Sequence, residues 1–455
     1  MDVVLISTYE LGRQPFGLAS PAAWLREAGA AVTCLDLAVG PLDVEAVRKA
    51  DLVAFYVPMH TATRLAVSVL ERVRGLNPRA HLCFYGLYAP VNGEYLRRLG
   101  VATILGGEFE EGLVALVKRL AFGREDLAPR PQPEPRISLA RQRFHVPDRS
   151  GLPKLTRYAH LNLGAERRTV GYTEASRGCK HRCRHCPIVP VYEGQFRIVQ
   201  RDVVLEDIRR QVAAGAEHIT FGDPDFFNGI GHALALVRAL RDEHPTLTYD
   251  VTIKVEHLLR HAGHLQTLRE TGCLFVTTAV ESIDNRVLVL LDKGHTREDF
   301  FRVVGLCREV SLPLAPTFVT FTPWTSLEGY HALLRCLLDL DLVEQVAPVQ
   351  LAIRLLIPAG SKLMDLAEVR ALVDEFDEVA LSYPWRHPDP RVDRLQAEVL
   401  DLVKAGEARG ATRREIFREV WQAAERAAGR EESLPDLPLL PPRTAIPYMS
   451  EPWYC

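Results

Sequence analysis

Two stretches of this chain alternate short apolar runs with helix-like segments, and that alternation restricts the fold more than any other feature. From residue 1 to about 120, strand candidates fall at 3–7, 31–37, 52–57, 80–85 and 102–105. Helix candidates lie among them at 21–28, 62–76, 93–99 and 110–120. Strand and helix taken in turn predict an open, doubly wound parallel sheet. Such sheets take ligands outside the C-terminal ends of their strands, here the loops at 8–17, 58–61, 86–90 and 106–108.

The alternation breaks where APRPQPEPR begins a proline-rich, polar segment, read as an extended linker over 124–165. It resumes with strand candidates at 170–175, 218–222, 249–255, 274–280, 314–321 and 349–353. Helices are predicted at 203–214, 231–242, 262–271, 297–309 and 326–340. Six consecutive βα units predict a partial (β/α)6 barrel over 166–365, with its active site at the strand C-termini. A helical region follows over 366–430, where Thr412 and Glu415 have capping-box spacing. Ile416, Val420, Trp421 and Ala424 recur at helical period, as packing residues do. Residues 431–455 are again proline-rich and read as an extended tail.

A net charge of −3 gives no general pull toward nucleic acid or anionic lipid, so neither partner is expected. The start, MDVVLIS, lacks the basic and long apolar regions of a signal peptide, and no apolar run reaches the roughly 18–20 residues of a membrane helix. A cytoplasmic protein with reduced thiols is therefore expected. Of nine cysteines, Cys34, Cys83, Cys273, Cys307 and Cys336 lie singly in apolar segments, as small buried hydrophobes do.

Three others crowd into EASRGCKHRCRHCP. Cys179, Cys183 and Cys186 have C-x3-C-x2-C spacing directly after a predicted strand. Three thiolates on one loop can hold three irons of a [4Fe–4S] cluster and leave the fourth open for chemistry. Arg177, Lys180, Arg182 and Arg184 are expected to favour the thiolate forms. The alternative is a non-catalytic zinc-binding or iron–sulfur regulatory module, with His181 and His185 joining the cysteines around zinc. Zinc modules usually add a second, distant ligand pair on a small independent domain, whereas these cysteines sit inside a large α/β segment.

At these residues the chain resembles the radical S-adenosylmethionine superfamily, whose signature is C-x3-C-x-aromatic-C at the end of the first strand of a TIM-like barrel; His185 takes the aromatic position. The resemblance implies that S-adenosylmethionine chelates the open iron and is cleaved reductively to a 5′-deoxyadenosyl radical. It implies cofactor contacts at the next strand ends: Asp223 or Asp225 for the methionine amino group, Lys254 and Glu256 after the third strand, Glu281 and Ser282 after the fourth, and Arg354 after the sixth. It also implies a reductant such as flavodoxin or ferredoxin, and a small-molecule or peptide substrate.

Residues 1–123, with PFGLASPAAWLREAG and GGEFEEGL, resemble the Rossmann-like, cobalamin-binding-type domain that precedes many such barrels. The D-x-H-x-x-G motif is absent, the corresponding loop reading TYELGRQPFG, so the resemblance leaves cobalamin open as a cofactor. With it, methyl transfer would follow; without it, the radical would only abstract hydrogen. A methylthiotransferase is not expected, because this domain holds only Cys34 and Cys83. The ending IPYMSEPWYC resembles a branch with a Cys-Sec/Cys-Ala-Glu-Pro tail, which implies a catalytic Cys455 and a reading frame continuing through selenocysteine.

Overall fold

Two sheets, each covered by helices, form the computed structural model, which describes residues 1–122, 133–430 and the backbone of Tyr448–Met449. The first contains β1 (Asp2–Ser7), β2 (Ala31–Asp36), β3 (Leu52–Tyr56), β4 (His81–Tyr85), β5 (Thr103–Gly107) and β6 (Ile137–Ser138), in the order β2-β1-β3-β4-β5-β6. Every pair is parallel. Successive residues of a strand face opposite sides, so Val4 and Ile6 enter one apolar cluster while Val3 and Leu5 enter another. Burial on both faces is what a parallel sheet requires.

The first helix starts earlier than the sequence suggests, running Phe16–Glu27 with Pro21 inside it. Proline at that position cannot donate to the carbonyl four residues back. That carbonyl, Gly17 O, accepts instead from the Tyr85 hydroxyl at 2.8 Å.

The second sheet contains β7 (His160–Leu163), β8 (Glu166–Thr173), β11 (His218–Phe221), β12 (Thr248–Thr252), β13 (Cys273–Glu281), β14 (Leu314–Phe318) and β15 (Tyr448–Met449); a separate hairpin supplies β9 (Ser176–Gly178) and β10 (Phe196–Ile198). Strands β8, β11, β12, β13 and β14 are parallel neighbours. Ile219, Val251, Val276 and Phe318 face the covering helices in the main core. Leu161, Val170 and Phe275 form a small cluster on the inner face. The segment read as a linker thus supplies β6 to one sheet and β7 to the other.

The expected sixth strand at 349–353 is absent. Pro348–Leu351 is a 3-10 turn, and only an isolated bridge, Phe321 to Arg354, continues the sheet. Proline begins that turn, and its polar groups are used elsewhere: the Gln350 side chain accepts from Phe318 N, and Leu351 O accepts from the Tyr330 hydroxyl. The result is a half-open barrel. Helices Pro390–Ala408 and Arg413–Ala428 pack onto its outer core, the latter opened by the expected Thr412–Glu415 capping box. No described helix is long and apolar enough to cross a membrane.

Candidate active site

The three cysteines lie on the loop between β9 and β10, which pair antiparallel with Arg177 opposite Arg197. The hairpin closes only because residue 178 is glycine: its φ is +73°, and a Cβ there would sit 2.4 Å from the Tyr192 ring and 2.6 Å from Gln195 O. The loop is fixed from the neighbouring strand end. Asp223 accepts from Ala175 N at 2.9 Å and from Ser176 Oγ at 2.5 Å. Asn228 accepts from Lys180 N at 3.2 Å. Cys186 N donates to Cys183 O, which makes a tight turn between the second and third cysteines.

The expected electrostatics of this loop are corrected by its geometry. Arg177 turns away toward carboxylates of the N-terminal domain. Arg182 donates to Glu193 O, Arg184 donates to the carbonyls of Val289 and Leu290, and Lys180 covers the Phe196 ring. Burial therefore prevails, pushing the Cys179 thiol up to about 11 and Cys186 up to about 12. Without metal these remain thiols; binding iron must release their protons. The cation that does act on Cys186 is Lys293, a residue with no sequence signal.

Beside the cysteines, the strand ends carry a compact set of charges. Glu281, at the end of β13 and nearly buried, has a φ of +67°. Its carboxylate meets His185 Nε2 at 3.0 Å and Lys293 Nζ at 3.3 Å. Burial alone would raise its pKa, but Lys293 and His185 hold it at about 2. Lys254 Nζ lies 3.6 Å from Glu256. His295, with neither ring nitrogen partnered, is held at about 4 by burial and by Lys293 and Lys254. A polar ligand with both charges would find complementary groups here.

The structure brings together Cys179, Cys183, Cys186, Asp225, Lys254, Glu256 and Glu281, and sets Asp223, Ser282 and Arg354 apart. Both Asp223 oxygens serve the loop, and burial raises this carboxyl to about 7. Asp225 accepts from Phe227 N with one oxygen and faces His181 and His257 with the other. Ser282 Oγ accepts from Asp284 N in a turn. Arg354 stacks 3.6 Å over the Trp385 ring and pairs with Asp393 at 2.7 Å. Cys455 lies outside the described residues. Sequence reasoning missed Lys293, His257 and His295, which lie between predicted strands in stretches without a spacing signal.

A buried network joins this loop to the first sheet. Arg177, 6% exposed, reaches Glu110 at 2.7 Å, Glu174 at 2.7 Å and Glu108 at 3.4 Å, and packs among Phe16, Phe109 and Phe144. Tyr192 donates to Glu108, and Ser20 to Glu110. The loop after β1 also docks on the barrel: Gly12 O accepts from Ala159 N, and Arg13 lies 5.0 Å from the Tyr172 ring centre.

Residues 173–325 match the family model of the Radical SAM superfamily. The fold is similar to that of the radical S-adenosylmethionine methyltransferase TsrM from Kitasatospora setae, solved with tryptophan substrate and a SAM analogue. The TM-score is 0.68 with 19% identity, over 89% of each chain. It is also similar to the cobalamin-dependent S-adenosylmethionine radical enzyme OxsB, solved with aqua-cobalamin and S-adenosylmethionine (TM-score 0.66, 13% identity, 89% of this chain and 67% of that one). In sequence, 148 residues are 29% identical to a tRNA-2-methylthio-N(6)-dimethylallyladenosine synthase from Chlorobium phaeobacteroides (strain BS1). The match covers 29% of this chain and 31% of that protein, about a third of the relative's length.

Proposed function

We propose that this chain, whose residues 173–325 match the Radical SAM superfamily, is an enzyme that reductively cleaves S-adenosylmethionine to act on a substrate at the barrel mouth. The observation that carries this reading is the cysteine loop, pinned by Asp223, Asn228 and the β9–β10 hairpin, beside the charged strand ends of β12 and β13. Three cysteines on one short loop fit three irons and leave the fourth for an external ligand. Cys179, Cys183 and Cys186 would hold a [4Fe–4S] cluster, which when bound would supply the electron for reductive cleavage of the sulfonium. The protein's part is to hold and orient. Lys254 and Lys293 suit the methionine carboxylate; Glu256 and Glu281 suit the ammonium and the ribose hydroxyls. A small reductant protein delivers the electron.

Likeness over nearly the whole chain to TsrM and OxsB supports methyl transfer with cobalamin as the fuller form of this activity. At the C-terminal end of β1, Ser7 Oγ, Glu10 Oε2 and Arg13 Nε are buried without partners, which fits a ligand rich in amides. These residues would hold cobalamin, which supplies a transferable methyl when bound. The loop at 8–17 contains no histidine, so it gives cobalt no imidazole ligand.

The tail belongs to this reading as the carrier of a redox-active Cys455. Strand β15 is antiparallel to β7, which is antiparallel to β8, so β15 points toward the C-terminal ends of the barrel strands.

Anaerobic reconstitution with iron and sulfide, followed by dithionite and S-adenosylmethionine, tests the proposal. Expected is 5′-deoxyadenosine that depends on all three cysteines. A fully loaded cluster that never cleaves S-adenosylmethionine, with or without added hydroxocobalamin, would favour the non-catalytic iron–sulfur module.

A further inference from the structure

We infer that the junction between the first domain and the barrel carries a binding site for a small organic anion, away from the cysteine loop and independent of what the cysteines hold. A cavity of about 580 Å³ opens there, walled by Gln14 of the loop after β1, by the segment 147–156 and by the C-terminal end of the helix Arg201–Ala213. That volume falls within the range of small-molecule pockets. The helix begins just after β10 and runs about 20 Å away from it. Its far end leads into the start of β11 at His218, so the cavity lies at the opposite end of the barrel from the strand C-termini.

The lining selects the charge of the ligand. Arg149 is fully engaged, pairing with both oxygens of Asp207 and donating to Gln14 Oε1 and to Tyr172 O. Gln14 in turn donates to Pro153 O at 2.8 Å. The carboxylate that lines the cavity, Asp148, accepts from Ser150 and meets Arg26 at 2.5 Å, so its charge is already matched. Two cations keep capacity to spare. Lys154 is exposed and pairs with no carboxylate among the described residues. Arg210 gives Nε to Glu206 at 3.0 Å, which leaves both of its terminal nitrogens for another acceptor. The rest of the wall is apolar, formed by Pro147, Leu152, Pro153, Leu155, Ala213 and Ala214. An anionic group would take charge-assisted hydrogen bonds from Lys154 and Arg210 while a ring or hydrocarbon chain covers the apolar wall. A bare inorganic anion has no such body and would use only half of the site. Because Gln14 belongs to the first domain and Arg210 to the barrel, an occupant would tie the two together and stabilise their junction.

The test titrates the full chain with 8-anilinonaphthalene-1-sulfonate, an apolar anion, and follows its fluorescence. Expected is one saturable site per chain, with affinity at least about tenfold lower in the double variant K154Q/R210Q, the loss that removing charge-assisted hydrogen bonds brings. Both residues are exposed, so the variant should keep the wild-type circular dichroism. The uncharged N-phenyl-1-naphthylamine should bind the wild type more weakly than the sulfonate does, and should bind the variant no differently. Equal affinity of the sulfonate for wild type and variant overturns the site, and so does a neutral probe that binds as tightly as the charged one. Displacement of the sulfonate by saturating S-adenosylmethionine or hydroxocobalamin would place it at the barrel mouth or on the first sheet, and would also overturn the inference. A chain that forms no 5′-deoxyadenosine but still loses the sulfonate in K154Q/R210Q retains this site and counts only against the proposed radical chemistry.

Discussion

The guanidinium of Arg177 and the carboxylate of Glu110 meet at 2.7 Å, both buried, with Arg177 two residues before the first cysteine. One partner belongs to the barrel's loop and the other to the helix Glu110–Phe122 of the first domain. Burial would lower the arginine's pKa, but Glu110, Glu174 and Glu108 keep it charged. R177M keeps the bulk and removes the charge, leaving three carboxylates without their cation. Breaking a buried pair in this way costs about 3–5 kcal/mol. Urea denaturation should show a loss of that size; a change under about 1 kcal/mol would mean that the network does not hold the domains together.

The same network sets a pH dependence. Burial, opposed by Arg177, raises the Glu108 carboxyl from its ordinary 4.5 to about 7. Between those values the folded protein keeps a proton that the unfolded chain has released, so stability falls as pH rises from 4.5 to 7 and levels off above. Asp223, raised by burial to about 7, acts in the same direction. In protein without iron, urea midpoints measured from pH 5 to 8 should decline, and E108Q should flatten part of the slope. Identical slopes in the two proteins would remove Glu108 as its source.

Replacing Cys183 with alanine leaves two thiols on the loop. Iron and sulfide content should fall to background, and 5′-deoxyadenosine formation by about 100-fold or more, beyond the upper end of what outer-shell changes cost a metal site. Wild-type cleavage by C183A would show that the cysteines are not cluster ligands.

Periodicity made the parallel strands of both sheets legible because such strands alternate between two buried faces, as Val3 to Ile6 do. It failed at 349–353, where the apolar pattern of a strand serves a turn whose polar groups are satisfied by Phe318 N and the Tyr330 hydroxyl. The cysteines were legible because their spacing is local. Lys293 and His257 were not, because they join the site through chain reversals that no sequence interval records. The basic residues around the cysteines misled in another way. Proximity along the chain suggested thiolate stabilisation, but long side chains found acceptors elsewhere, Arg177 in the other domain and Arg184 on the carbonyls of Val289 and Leu290.

Gly178 tests whether the hairpin governs the cluster. Alanine there must adopt a φ of +73° and place its Cβ 2.6 Å from a backbone oxygen that cannot rotate away. The strain amounts to about 1–3 kcal/mol. G178A should reconstitute with less iron, and its loop should become sensitive to proteolysis while the first domain resists. Full iron loading with wild-type protease resistance would show that the loop adapts without the hairpin.

Glu281 offers the cleanest separation of cofactor binding from cluster assembly. Its side chain contacts His185 of the loop and Lys293, but no cysteine ligand. With its pKa held at about 2 it is ionised throughout the working range, so E281Q removes a full charge while preserving shape. A charge-assisted hydrogen bond to S-adenosylmethionine contributes about 1.5–3 kcal/mol, so the dissociation constant should rise about ten- to 100-fold. Iron and sulfide should stay at wild-type levels, because the three thiols are untouched. Calorimetric titration of the reconstituted variant measures the first quantity and metal analysis the second. Unchanged affinity would take Glu281 out of the binding site and leave it as the counter-charge that keeps Lys293 beside Cys186.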